Sequence, residues 1–108
     1  MALTQNIHIF RGEDVQLIFT MTPTTNVSGW TTRFTVKKAY NSPTELLHTS
    51  GIVTDGAGGE FTVNLPRAST NVATGAYVYD FVRTDTNDYT VLSTGVFKIE
   101  PGVYTPVV

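Results

Sequence analysis

The chain has 108 residues, the size of one domain, and carries 7 basic and 9 acidic side chains with a pI near 5.5. This charge balance argues against direct binding to nucleic acid, and no stretch is long and apolar enough to predict a membrane span. There is no cysteine, so no disulfide holds the fold. The first residues, MALTQNIHIF, lack the pattern of a signal peptide, and we expect a soluble protein.

The composition favours strands over helices. Threonine supplies 19 residues, beside many Val, Tyr and Phe, and these side chains suit a pleated, half-buried surface. Apolar residues alternate with a period of two along most of the chain, which predicts short strands.

The first three predicted strands follow in chain order. The first ends at Arg11-Gly12, and the loop TPTTNVSG separates the second from the third. The third ends at the two lysines that follow its last apolar residue. The residues expected to face inward are Ile7 and Ile9, then Val15, Leu17, Phe19 and Met21, then Trp30, Thr32, Phe34 and Val36.

Four more strands are predicted after Lys38. The fourth is irregular because Gly51 interrupts it, and the turn TDGAGG separates it from the fifth. The seventh extends from Tyr89 to Ile99, with Gly95 as the expected site of a β-bulge. The inward apolar residues are Leu46, Leu47, Ile52 and Val53, then Phe61, Val63 and Leu65, then Tyr77, Tyr79 and Phe81, then Val91, with Leu92 as an alternative, and either Val96 or Phe97.

This pattern predicts an all-β fold, an immunoglobulin-like antiparallel β-sandwich of about seven strands. The sandwich is expected to form a single domain over residues 1–108, with residues 101–108 as an extended carboxy-terminal arm. Gly75 and Tyr77 occupy the place of the tyrosine corner of such folds. Tyr79 is expected to fill the space of the usual disulfide against Trp30. The predicted structural core comprises Trp30, Phe34, Tyr77 and Tyr79.

Residue chemistry alone indicates no catalytic, cofactor-binding or metal-binding residue. The glycine turn lacks the lysine of a phosphate loop, and no serine lies in a nucleophile elbow. His8 and His48 belong to separate strands without cysteine or carboxylate at ligand spacing. Arg83 is expected to pair with Asp85 at a strand end. We therefore expect no enzyme and no cofactor.

The carboxy-terminal segment PGVYTPVV is apolar, and its two prolines disfavour a central strand. It could lie on a neighbouring protein or along the edge of its own domain. The possible interface residues are Val103, Tyr104, Pro106, Val107 and Val108.

Several segments together resemble small immunoglobulin-like domains of tailed bacteriophages and prophages. The segments are IFRGEDVQLIF, GWTTRFTV, EFTVNL, TGAYVYDFVRTD and VLSTGVFKIEPGV. Relatives of this kind occur as stand-alone head or tail decoration proteins and as the amino-terminal domain of baseplate upper proteins. The latter continue into a long carboxy-terminal part, so the resemblance favours a decoration, connector or tail component here.

The resemblance implies a non-enzymatic structural protein, located in the virion and assembled in the cytoplasm of the host bacterium. The implied partners are other virion proteins of the capsid, connector or tail, in a homo-oligomer or symmetric assembly, with no nucleic acid and no membrane. The alternative is an adhesin-like or carbohydrate-binding module. Its aromatic platform would draw on Trp30, Tyr40, Tyr89 or Tyr104.

Overall fold

The computed structural model describes residues 3–21, 25–85 and 89–101 of the chain. Within these ranges the chain forms nine strands and one short helix. The strands are β1 (Leu3–Thr4), β2 (Ile7–Phe10), β3 (Val15–Thr20), β4 (Thr32–Lys37), β5 (Glu45–Ser50), β6 (Ile52–Asp55), β7 (Glu60–Leu65), β8 (Gly75–Arg83) and β9 (Thr90–Glu100), and the helix is α1 (Arg67–Thr70). The interface residues predicted beyond Gly102 lie outside the described residues, as does most of the predicted arm.

The strands form two sheets, which confirms the predicted all-β, immunoglobulin-like sandwich. The larger sheet has the order β1-β9-β8-β4-β5, with β2 also paired to β9, and the smaller has the order β3-β7-β6. One feature differs from the prediction of a purely antiparallel fold. Both β1 and β2 run parallel to β9, whereas the other pairs are antiparallel. Alternation along a strand does not encode the direction of its neighbour, so the sequence pattern could not reveal this.

Aromatic rings from both sheets meet in the core. Phe81 of β8 stacks on Phe19 of β3 at 4.5 Å and meets Phe61 of β7 edge-on at 5.4 Å between ring centroids. The predicted alternation of β3 and β7 matches the burial of their inward residues. The buried apolar core contains Ile7, Ile9, Phe19, Val27, Phe34, Val36, Phe61, Val63, Leu65, Tyr79, Phe81, Phe97 and Ile99.

The predicted fourth strand is in fact two strands in different sheets. β5 pairs with β4 in the larger sheet, and β6 pairs with β7 in the smaller one. The chain passes between the sheets at Gly51, where a Cβ atom would collide with the Thr32 hydroxyl and lie 2.8 Å from Cε1 of Phe81. A glycine therefore permits the close passage over the core.

Gly95 is not the predicted bulge. It lies in register opposite Tyr79, and the register shift falls where Phe81 pairs with Ser93 and the next residue pairs with Val91. A Cβ atom on Gly95 would collide with the carbonyl oxygen of Gln5. The glycine thus allows the segment between β1 and β2 to lie close against β9.

Trp30 also departs from the prediction. It precedes β4 rather than belonging to a strand, and it is half-buried. Its ring packs 6.2 Å from that of Phe61, whereas Tyr79 packs against Phe34 at 5.4 Å and Phe97 at 6.5 Å. The expected contact between Tyr79 and Trp30 is therefore wrong, because Trp30 lies before the strand that carries Phe34.

The helix α1 was not predicted, because four residues are too few to produce helical periodicity. Its Thr70 hydroxyl donates to the carbonyl of Glu13 at 2.6 Å, and so connects the turn before β3 to the segment before β8. No helix among the described residues has the length and apolar character needed to cross a membrane.

Candidate functional site

The middle of the larger sheet carries a polar row on its outer face. Thr35 of β4, Asp80 of β8 and Thr94 of β9 lie side by side in the strand register. Tyr40, which follows β4, reaches back over this row, and its hydroxyl lies 3.3 Å from Oγ1 of Thr94. These four residues, together with Lys37, are called the Asp80 face below.

Asp80 lies in an environment that disfavours its charge. Burial raises the pKa of its carboxyl, Lys37 nearby opposes this shift, and the negative charge of Glu45 adds to it. A shallow hollow of about 40 Å³ adjoins the carboxylate, and its lining includes Tyr40 and Val78. A carboxylate whose charge is disfavoured by burial is stabilised by any partner that supplies a hydrogen-bond donor or a positive charge.

Ionic groups flank one side of the Asp80 face. Glu45 of β5 accepts from Nη2 of Arg33 at 3.0 Å and lies 3.1 Å from Nδ1 of His48. The other side of the Asp80 face carries an apolar residue, Val96, which is 40% exposed. Tyr40 between them is 63% exposed. The surface therefore combines an exposed aromatic ring, an apolar residue and charges of both signs.

Arg83 and Asp85 form the predicted ion pair, with Nε and Oδ2 2.6 Å apart. Asp85 also accepts from the backbone N–H of Thr31 at 2.6 Å. That backbone hydrogen bond, followed by the one from Arg83, lowers the pKa of Asp85. The guanidinium of Arg83 lies 4.0 Å above the ring of Trp30. Asp85 thus connects the residue before β4 to the end of β8.

The two tyrosines of β8 bond to backbone carbonyls. Tyr77 is half-buried, and its hydroxyl donates to the carbonyl of Ala73 at 2.6 Å, which is the geometry of a tyrosine corner. Tyr79 is buried and donates to the carbonyl of Gln5 at 2.6 Å. Its oxygen lies 2.9 Å from the hydroxyl of Ser93, and burial raises its pKa. Both residues therefore anchor the fold.

Of the aromatic residues of the carbohydrate alternative, Tyr40 follows β4, whereas Trp30 and Tyr89 lie at the other end of the larger sheet, near Arg83. Trp30 lies beneath Arg83, Tyr40 belongs to the Asp80 face, and Tyr89 precedes β9 at the end of the sheet where Thr90 pairs with Arg83. The fourth, Tyr104, lies outside the described residues. Within those residues, no three His, Cys, Asp or Glu side chains come together as a metal site.

Sequence reasoning missed the Asp80 face as a unit. The signal was present in part, because Thr35 lies between Phe34 and Val36 and Asp80 lies between Tyr79 and Phe81, so alternation places both on the side of the sheet opposite these apolar residues. The adjacency of Thr35, Asp80 and Thr94 depends on the register between three strands, and the contact of Tyr40 depends on the course of a loop.

Neither a family model nor a curated protein sequence matches the chain. Among solved structures, CopC from Methylosinus trichosporium OB3b is similar with a TM-score of 0.56 and 11% identity, over 94% of this chain and 89% of its own. A putative glycoside hydrolase from Bacteroides vulgatus ATCC 8482 gives a TM-score of 0.56 and 10% identity over 89% of this chain. This chain spans 16% of that hydrolase. At such identities the likeness is one of fold alone.

Proposed function

We propose that this chain is a non-enzymatic structural protein of a tailed-phage particle, acting through contacts with other virion proteins. Its position on the particle would be that of a capsid decoration, connector or tail component. The sequence resemblance described above supports the phage context. The Asp80 face supports the mode of action.

The Asp80 face has the types of residue expected at a protein–protein interface. Interfaces favour exposed tyrosine within a surface whose polar groups can be satisfied by a partner. Tyr40 supplies a large, exposed ring next to a partly buried carboxylate, and Lys37 provides a charge that a complementary surface would pair. A partner that donates to Asp80 would relieve the cost of its burial.

The test is complementation of a phage that lacks this gene, with variants supplied in the host. Tyr40→Ala should reduce the amount of the protein in purified particles, because it removes the central ring of the Asp80 face. Tyr89→Ala is the matched control, since Tyr89 is a 74% exposed tyrosine outside that face. Removal of residues 103–108 tests the possible interface of the carboxy-terminal segment in the same assay.

Normal incorporation of both Tyr40→Ala and the truncated chain would contradict the proposal for these surfaces. Absence of the wild-type protein from particles would contradict the virion role itself. Binding to a glycan array that Tyr40→Ala or Tyr89→Ala abolishes would favour the carbohydrate-binding alternative instead.

A further inference from the structure

The smaller sheet ends on one side at β3, an edge strand that lacks the usual protection against pairing. Only β7 pairs with β3 among the described residues. Its sequence, VQLIFT, contains no charge, proline or glycine, and its pairing with β7 continues over all six residues without a register shift. Regular, uncharged edges of this kind readily add a further strand.

The other edges of the two sheets are interrupted. β6 has a register shift between Val53 and Asp55 and ends in a charge. β5 begins with the charged Glu45 beside an irregularity in its pairing with β4. The edge formed by β1 and β2 is broken at Gln5 and Asn6. Bulges, charges and short strands protect sheet edges against pairing with another strand. The strand β3 has none of these features.

The outer side of β3 is apolar at its centre. Ile18 is 59% exposed, and Thr62 of β7 lies beside it, followed by Ile52 of β6, which is 51% exposed. Gln16 and Thr20, on either side of Ile18 along the strand, are polar and exposed. The edge therefore has an apolar centre between two uncharged polar positions.

We propose that β3 pairs antiparallel with β3 of a second copy of this chain, about a two-fold axis at Ile18. The axis places Ile18 opposite its own counterpart and Gln16 opposite Thr20 of the other copy. On the inner side it places Leu17 opposite Phe19. The two small sheets become one continuous six-stranded sheet.

A second copy fits this edge because the residue on the two-fold axis faces its own counterpart, so that position must tolerate its own side chain. A charged residue at the centre would be repelled by its symmetry mate, and β3 carries none. Moving the axis to Leu17 or Phe19 would place Ile18 opposite Gln16 or Thr20, and the apolar match would be lost. Pairing at Ile18 also covers exposed apolar surface.

Engineered cysteines test the contact, because the chain has no cysteine of its own. Ile18→Cys should form a disulfide-linked dimer on mild oxidation, since opposed residues of antiparallel strands have Cα atoms about 4.5–5.5 Å apart, within disulfide reach. Ile52→Cys is the matched control, as a similarly exposed isoleucine of the same sheet two strands away. It should cross-link at least tenfold more slowly.

A mixture of chains tests the register. Gln16→Cys and Thr20→Cys should each form little disulfide-linked dimer when oxidised alone, because neither residue faces itself across the axis. An equal mixture of the two should give the cross-linked heterodimer. Sedimentation equilibrium of the wild-type chain should show a dimer, and Ile18→Lys should shift it to monomer while Ile52→Lys should not.

Equal cross-linking rates for the Ile18→Cys and Ile52→Cys chains would overturn the proposal. So would a wild-type chain that stays monomeric throughout the concentration range of the sedimentation experiment. Preferential cross-linking of Gln16→Cys or Thr20→Cys with itself would also overturn it, because it would place the axis elsewhere. These measurements use the isolated chain and do not depend on a role in a phage particle.

Discussion

Two buried threonines show how the effect of a buried hydroxyl on stability depends on its hydrogen-bond partners. Thr70 is fully buried, and its Oγ1 donates to the carbonyl of Glu13 at 2.6 Å and lies 3.3 Å from that of Arg67. Thr32 is also buried, yet its Oγ1 has no hydrogen-bond partner among the described residues. An unsatisfied buried hydroxyl costs about 1–3 kcal/mol relative to a satisfied one.

Valine substitutions at these two sites should therefore change stability in opposite directions. Thr32→Val replaces an unpaired hydroxyl with a methyl of similar size in a strand, and should raise the free energy of unfolding by about 1 kcal/mol. Thr70→Val removes a paired hydroxyl and leaves the Glu13 carbonyl unsatisfied. This variant should lower the free energy of unfolding by about 1–2 kcal/mol. Urea unfolding measures both. A loss of stability in Thr32→Val would show that its hydroxyl is satisfied.

At the scale of the strands, the parallel attachment of β1 and β2 depends on close contact with β9. The backbone N–H of Gln5 donates to the carbonyl of Thr94 at 2.9 Å, and Oδ1 of Asn6 accepts from the N–H of Val96 at 3.1 Å. Tyr79 adds its hydrogen bond to the Gln5 carbonyl from the neighbouring strand. All of these contacts converge on the backbone around Gly95.

Gly95→Ala should therefore weaken the attachment of the first strands. The new Cβ would collide with the Gln5 carbonyl, which belongs to backbone and cannot rotate away. We expect a loss of about 2–4 kcal/mol, together with faster hydrogen exchange at residues 3–10. Gly29→Ala is the control, because Gly29 has φ +81° but open space around its Cβ position, and it should cost only about 1 kcal/mol. Equal losses would contradict the steric explanation.

Across the whole molecule, three carboxylates connect separate parts of the fold. Asp14 accepts from the backbone and side chain of Arg67. Asp85 joins Thr31 to Arg83, and Glu100 pairs with Lys98 and lies near His8. Hydrogen bonds from these partners lower the pKa of all three carboxyls in the folded state. Burial shifts the pKa of Asp80 in the opposite direction.

Acid should therefore destabilise the fold in a defined way. A carboxyl with a lowered folded-state pKa stabilises the protein above its unfolded pKa, near 3.8 for Asp and 4.5 for Glu, and this contribution disappears as the pH falls through the folded value. We expect urea midpoints to fall as the pH drops below about 4.5. Asp85→Asn should flatten this dependence.

Asp80→Asn should behave in the opposite way, because a raised folded-state pKa means that ionisation of Asp80 costs stability. This variant should be more stable than wild type at pH 7, and the difference should vanish below the unfolded pKa of about 3.8. A loss of stability at pH 7 would show that the ionised carboxylate of Asp80 is satisfied within the fold.

The sequence alone determined most of the strands and, in several of them, which side faces the core. Alternation is a local property, since successive side chains of a strand point to opposite faces, so β3, β7 and most of β8 follow from it. The number of strands and the spacing of turns then led to a sandwich. The pair of Arg83 and Asp85 was also accessible, because the two residues are close in the chain.

Only the tertiary structure decided which strands are neighbours and where the chain changes sheet. The parallel pairing with β9, the passage at Gly51, and the placement of Trp30 under Arg83 depend on contacts between residues far apart in sequence. The Asp80 face arises in the same way, from the register of three strands and the return of Tyr40 over them. Local periodicity carries no information about such pairings, because they are selected by how the two faces of the sandwich pack together.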